Sequence, residues 1–347
     1  METLWFCLVA VMVAIYVLLD GFDLGAGAIH FLVAKTNEER RQVIATIGPV
    51  WDGNEVWLVA AGGTLYFAFP LLYASAFSGF YLPLMMVLWL LILRGSAVEF
   101  RNHIQSPIWI PFWDFFFSAS SLLLAVFFGT ALGNVIRGVP LDESGYFFEP
   151  LWTNLRLGEH TGILDWYTIL VGVTALLALM MHGALWVQLK TGGAVRERSQ
   201  RLAGWAWWGV LGFTALLTPV TFRVQPQVLA NFRTLPAGYV LPALAIAGLA
   251  GVQFELRRSS ELHAFLASCA YLLGMLTSVV FGVYPMVLPA RNPLYSLTVT
   301  NAKAGVYGLK IGLVWWAIGI SLAAGYFIYV YRTFAGKVAT DADPHVP

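Results

Sequence analysis

The sequence predicts an all-α integral membrane protein of about nine transmembrane helices. Three observations carry that reading. Hydrophobic residues make up 59% of the 347 positions, and charged residues only 11%, against roughly 45–50% and 25% in soluble domains. The apolar residues gather in runs about as long as the roughly 20 residues a bilayer core requires. The basic residues fall mostly between those runs, on alternate connections. The formal net charge of +1 gives no sign of a nucleic-acid partner. Cys7 and Cys269 lie in separate apolar runs and suggest no disulfide framework.

The first run, Leu4–Val33, has only Glu2 ahead of it where a cleaved signal would carry basic residues, and it reads as a retained helix. Further runs cover Val50–Leu72, Phe77–Glu99, Phe112–Ile136 and Ile163–Leu189. Four more cover Ala203–Phe222, Gly238–Leu256, Leu262–Leu288 and Ala304–Thr333. Only Tyr73–Ala76 separates the second run from the third, so a tight hairpin is expected there. The odd-numbered connections and the tail hold thirteen Lys and Arg, among them Arg40, Arg41, Arg196, Arg257 and Arg332. The even-numbered connections hold six: Arg137, Arg156, Arg223, Arg233, Arg291 and Lys303. That asymmetry predicts an external N-terminus and a cytoplasmic C-terminus. The longest loop, 137–162, is then external and carries Asp142, Glu143, Glu149 and Glu159.

A faint repeat is visible. The first run ends in His30, Lys35 and Thr36 before a charged loop; the fifth ends in His182, Lys190 and Thr191 before another. The chain then reads as a single transmembrane domain of two four-helix halves, about 1–136 and 163–288, with a ninth helix at about 304–333.

Ionisable residues inside a membrane cost about 2.5–3.5 kcal/mol each on insertion scales, so they mark candidate function. Asp20 and Asp23 lie three apart in the cytoplasmic half of the first helix and share a face. Trp51, Asp52, Asn54, Glu55 and Trp57 open the second helix on that side. Arg94, Glu99 and Arg101 bring the third back to it. Such a cluster of carboxylates around one arginine suits a cytoplasmic proton entry path. Structural readings stand beside it. Asp52 and Glu55, just after Pro49, fit a capping box. Asp20 and Asp23 fit simple pairing with Arg94. Gly21, Gly25 and Gly27 fit close helix packing, and Trp51 and Trp57 fit interface anchors.

His30 and His182 are the two histidines well inside helices; His103, His160, His263 and His345 are not. They suit hydrogen bonding between helices better than a bis-histidine haem, and this chain alone does not supply ligands for several haems. Lys310 stands alone near the outer end of the last helix, placed to snorkel or to meet the acidic outer loop or a partner. A proton-coupled secondary transporter is the alternative of a different class. The crowding of the acids at one membrane face argues against it.

These residues resemble subunit II of the cytochrome bd-type quinol oxidases, including the cyanide-insensitive branch. The matching blocks run in order: DGFDLG at Asp20–Gly25, WDGNEVWLVAAGG at Trp51–Gly63, FPLLYASAFSGFY at Phe69–Tyr81, LILRG at Leu91–Gly95 and MHGALWVQLKT at Met181–Thr191. The resemblance implies two four-helix bundles plus a peripheral helix. It also implies a haem-free subunit in the bacterial inner membrane that pairs with a subunit I holding haem b558, haem b595 and haem d. The complex oxidises quinol, reduces oxygen to water and builds proton motive force. By motif, the resemblance assigns Asp52 to the proton path, with Asp20, Asp23 and Glu55 beside it. It assigns Trp51 and Arg94 to support of the haem site across the subunit interface, and Asn54, Trp57 and Glu99 lie in or near the same blocks. Glu55 stands where other members carry glutamine. A structural quinone against the second and third helices, and a small third subunit, are features the family allows but this sequence does not specify.

Overall fold

The computed structural model describes residues 1–158 and 161–338; Glu159, His160 and His345 lie outside them. The chain is almost entirely helical. In order come α1 (Glu2–Val33), α2 (Asn37–Ala45), α3 (Trp51–Ala68), α4 (Pro70–Gly79), α5 (Tyr81–Phe100) and α6 (Trp109–Arg137). They are followed by α7 (Trp166–Lys190), α8 (Gly193–Val224), α9 (Pro226–Thr234), α10 (Val240–Arg257), α11 (Glu261–Val283) and α12 (Val306–Thr333). A small antiparallel pair, β1 (Met286–Leu288) and β2 (Leu297–Thr298), lies between α11 and α12.

Among the described residues eight helices are long and apolar enough to cross a bilayer: α1, α5, α6, α7, α8, α10, α11 and α12. The polar first turn of α3, with Asp52, Asn54 and Glu55, keeps that helix out of the set. The helix nevertheless runs alongside α1. Its start meets Asp23 through Asn54, and its last carbonyl, at Ala68, accepts from Ala304 N (2.9 Å) just ahead of α12.

The second run ends earlier than its hydropathy suggests. Pro70 forces Phe69 out of the helical region (φ −134°, ψ 66°), which stops α3. The same proline then opens α4 at its first turn. Tyr73–Ala76 are therefore helical, and the expected tight hairpin is a short helix. At its own start α8 extends beyond the apolar run, because the charged residues around Arg196–Arg201 continue the helix out of the membrane. Two other starts are capped by local chemistry. Asp165 accepts from Tyr167 N and Thr168 N to begin α7, and Thr36 with Glu39 forms a capping box for α2.

The bundle has two faces. At one, the N-face, Trp5 Nε1 donates to Leu309 O (3.2 Å) and Lys303 pairs with Glu2 (3.3 Å). At the other, the C-face, Lys190 Nζ donates to Phe334 O (2.5 Å) and Arg198 to Val33 O (2.6 Å). At the centre α1 packs against α6, α7 and α3. A Cβ on Gly25 would stand 2.0 Å from Leu179 O, and one on Gly27 2.1 Å from Ser121 Oγ. These glycines thus serve the close helix contact expected of them. Beside the crossing, Phe22 stacks on Trp186 (4.1 Å), and His182 on Phe265 (4.8 Å). α12 is peripheral, with only Leu309 and Val330 buried along its length. Lys310 is exposed on it.

Candidate proton-handling site

Two buried polar clusters lie toward the C-face. The first draws on α1, α3, α5 and α12. Arg94 on α5 is 1% exposed and Asp20 on α1 is 0% exposed, and the two form an ion pair at 2.6 Å. Glu55, one turn into α3, reaches the same guanidinium at 3.3 Å. Asp23 takes a different partner: its Oδ2 accepts from Asn54 Nδ2 (2.8 Å). Asn54 Oδ1 in turn accepts from the hydroxyl of Tyr331 on α12 (2.8 Å). Trp51 lies against α5, its ring 3.2 Å from where a Cβ on Gly95 would stand.

The structure therefore joins Asp20, Glu55 and Arg94 directly and reaches Asp23 through Asn54. Asp52 and Glu99 stand at the rim, both exposed. The capping box expected of Asp52 and Glu55 does not form. The helix starts at Trp51, so its N-cap is Val50, which has no side-chain acceptor, and Asp52 already lies within the first turn, while the Glu55 carboxylate pairs with Arg94. Trp57 is not a membrane-interface anchor either. It is buried and packs on Phe327 of α12 (5.5 Å). Within the first cluster Asp20 Oδ2, Asp23 Oδ1 and Arg94 Nη1 are buried without a hydrogen-bond partner among the described residues. Buried polar atoms of that kind take ordered water.

The second cluster centres on Asp114, in the second turn of α6. It accepts from Arg101 Nε (2.6 Å) and Arg101 Nη2 (3.2 Å) at the end of α5, and shares a hydrogen bond with His30 Nε2 of α1 (2.9 Å). Arg40 of α2 approaches at 3.5 Å, and Arg101 also donates to Asn37 Oδ1 (2.7 Å). Four helices are tied at one buried carboxylate. Asp114 escaped the motif reading, although a lone acid in the aromatic stretch WIPFWDFFF is a signal of the same kind as Asp20.

His182 is committed to neighbouring helices at both ring nitrogens. His182 Nδ1 meets Ser268 Oγ (2.7 Å), and its Nε2 donates to Leu18 O (2.9 Å). With Phe265 stacked on its ring and both nitrogens engaged, His182 does not fit an axial haem ligand. His30 spends its Nε2 on Asp114, and its Nδ1 is buried without a partner among the described residues. Among the described residues no cluster of His, Cys, Asp and Glu has the make-up of a metal site.

Fold and site together define a polytopic all-α membrane protein with charged residues paired inside its helices. The comparisons give its family. The family described as cytochrome bd terminal oxidase subunit II matches residues 1–334. The chain is 31% identical to the probable cytochrome oxidase subunit 2 of Haemophilus influenzae, over 96% of this chain and 94% of that one. It is 31% identical to the cytochrome bd ubiquinol oxidase subunit 2 of Bacillus subtilis, over 98% and 97%. With the cytochrome bd-I ubiquinol oxidase subunit 2 of Escherichia coli the identity is 28%, over 97% and 95%. The structure of the bd oxidase from Geobacillus thermodenitrificans shares the fold, with a TM-score of 0.73 at 16% identity, over 96% of this chain and 98% of that one.

The chain belongs to the cytochrome bd terminal oxidase subunit II family. It is a multi-pass inner-membrane subunit of a respiratory oxidoreductase complex and has a subunit I as its partner. Family membership also sets aside the transporter reading.

Proposed function

We propose that this chain is the haem-free subunit of a quinol:oxygen oxidoreductase, supporting a haem-bearing subunit I and supplying a proton path from the C-face, which is cytoplasmic in this reading. Haems held by subunit I would supply the transfer of electrons from quinol to oxygen. The residues of this chain bring protons toward that reaction, and the sidedness of proton release and uptake builds proton motive force. The carrying observation is the Asp20–Arg94–Glu55 grouping, with Asp52 exposed one turn from Glu55. A carboxylate that gains and loses a proton inside a membrane needs a fixed counter-charge. Arg94 serves two acids at once. Asp23, Asn54 and Tyr331 extend the polar line along α1 and hold α12 to it.

The loop charge supports the assignment of the C-face to the cytoplasm. Residues 1–136 and 163–288 read as two related halves. The close crossing of α1 and α7, their respective first helices, at Gly25 and Gly183 supports that reading.

Asp52→Asn tests the proton path. Oxygen consumption by the complex in proteoliposomes is expected to fall about tenfold, with haem content unchanged. Water reaches position 52, so the effect stays below the roughly hundredfold typical of a positioned acid–base group. Turnover at the wild-type rate would remove Asp52 from the path.

A further inference from the structure

Tyr16 lies on α1 one turn from Asp20 toward the N-face, on the same side of the helix. It is 4% exposed, and its hydroxyl is buried without a hydrogen-bond partner among the described residues. Asp20, Arg94 and Glu55 act on that hydroxyl electrostatically. A buried tyrosine hydroxyl usually finds a partner, because leaving it unpaired costs about 1–3 kcal/mol.

Tyr16 Oη is one of three unpaired polar atoms on adjoining groups. The others are Asp20 Oδ2 and Arg94 Nη1. Arg94 meets Asp20 at 2.6 Å, and Asp20 stands one turn from Tyr16. Together they offer a carboxylate acceptor, a guanidinium donor and a hydroxyl that does either. That is the set of roughly three partners a buried water takes.

Beyond Tyr16 the chemistry changes. Its ring packs in an apolar cluster with Met12, Trp57 and Ala61, and Phe128 stands edge-on at 5.8 Å. Toward the N-face the same stripe of α1 continues through Met12, Val9 and Trp5, none of which ionises. The Met12 sulfur is already taken by Thr64 Oγ1 (3.4 Å) and Trp316 Nε1 (3.3 Å). Toward the C-face the stripe carries Asp20 and Asp23. Tyr16 is therefore the last hydroxyl or charge on this stripe, at the point where the polar line meets an apolar wall.

We propose that Tyr16 is a positioning residue for proton delivery: its hydroxyl, with Asp20 and Arg94, holds an ordered water at the inner end of the polar line. The inference rests on the proton path proposed above and adds its terminus. Asp20 gives its proton to this water, and the water gives one up on its other side, toward subunit I. The hydroxyl turns to donate or accept and keeps its own proton throughout. Behind its ring the apolar wall offers no further station, so delivery does not continue toward the N-face.

Tyr16→Phe in the purified complex, reconstituted in proteoliposomes, is the test. The ring and its packing remain and only the hydroxyl goes. That hydroxyl has no partner among the described residues, so the variant loses no hydrogen bond to them and is expected to assemble with wild-type haem content. Oxygen consumption should fall about five- to tenfold, less than the roughly hundredfold of a group that carries the proton itself. The ratio of rates in light and heavy water should rise above that of wild type, because proton delivery becomes the slower step; a packing defect would leave it unchanged. Asp52→Asn, measured alongside, separates the two claims. A wild-type rate in Tyr16→Phe with a slowed Asp52→Asn removes Tyr16 and keeps the path, whereas wild-type rates in both remove the path as well. A slowed Tyr16→Phe with an unchanged isotope ratio also overturns the proposal, since the defect is then structural.

Discussion

Arg94→Gln removes the cation that faces both Asp20 and Glu55. Asp20 loses a partner at 2.6 Å while remaining fully buried. Breaking a buried pair from one side costs about 3–5 kcal/mol, because the remaining charge is left without compensation. Glu55 adds little to that figure: it lies at 3.3 Å and its side chain is 22% exposed, so its share is about 0–1 kcal/mol. At about 2 °C per kcal/mol for a chain of this size, the melting midpoint should fall by about 6–10 °C. Asp20→Asn alone should cost less, since Arg94 keeps Glu55. The double variant should recover stability relative to Arg94→Gln, with a coupling of about 2–3 kcal/mol between the two sites. Far-UV circular dichroism melts of the purified complex measure all four species. The reasoning is refuted if Arg94→Gln melts within about 2 °C of wild type, or if the double variant is no more stable than Arg94→Gln.

Three further outcomes follow from other parts of the fold. Gly25→Ala puts a Cβ 2.0 Å from Leu179 O and 2.8 Å from Gly183 Cα, backbone against backbone. The crossing of α1 and α7 must open at a cost of about 1–3 kcal/mol or more, and the yield of assembled complex should drop. Gly319→Ala on α12, where nothing lies within 4 Å, should be neutral or stabilising by up to about 1 kcal/mol. Glu39 is held to about 2, below its ordinary 4.5, first by its hydrogen bonds from Arg198. A depressed carboxyl contributes stability above its unfolded value and loses it as pH falls through the folded one. The melting difference between wild type and Glu39→Gln, about 0.2–1 kcal/mol for a half-buried, solvent-screened pair, should be flat above pH 4.5 and shrink as pH falls toward about 2. A constant difference across that window would remove the Arg198–Glu39 pair as its source.

The family blocks around Asp20, Asp52 and Arg94 were legible because an ionisable residue in an apolar run stands out by its cost. The glycines of α1 were legible as packing residues for a related reason, since helices in lipid associate through close backbone contact. Asp114 was equally costly but carried no motif, and its partners come from α1, α2 and α5, distant in sequence. Glu149 and Arg291 were visible only as loop charges. Their union depends on two loops meeting over the ends of α6 and α7.

The sequence by itself determined that this chain lives in a bilayer, where its long apolar runs lie, and which charged residues are costly enough to need a role. The bilayer imposes those constraints locally: a span needs length, and every backbone group in it must be satisfied within a helix. Only the tertiary structure decided the pairings. Asp20 rather than Asp23 meets Arg94; Asn54 carries Asp23 to Tyr331; Glu55 leaves the cap of α3 for α5. Those choices rest on the rotation of each helix and on how closely α1 approaches its neighbours. Packing between distant segments sets both, and no periodicity within one segment encodes them.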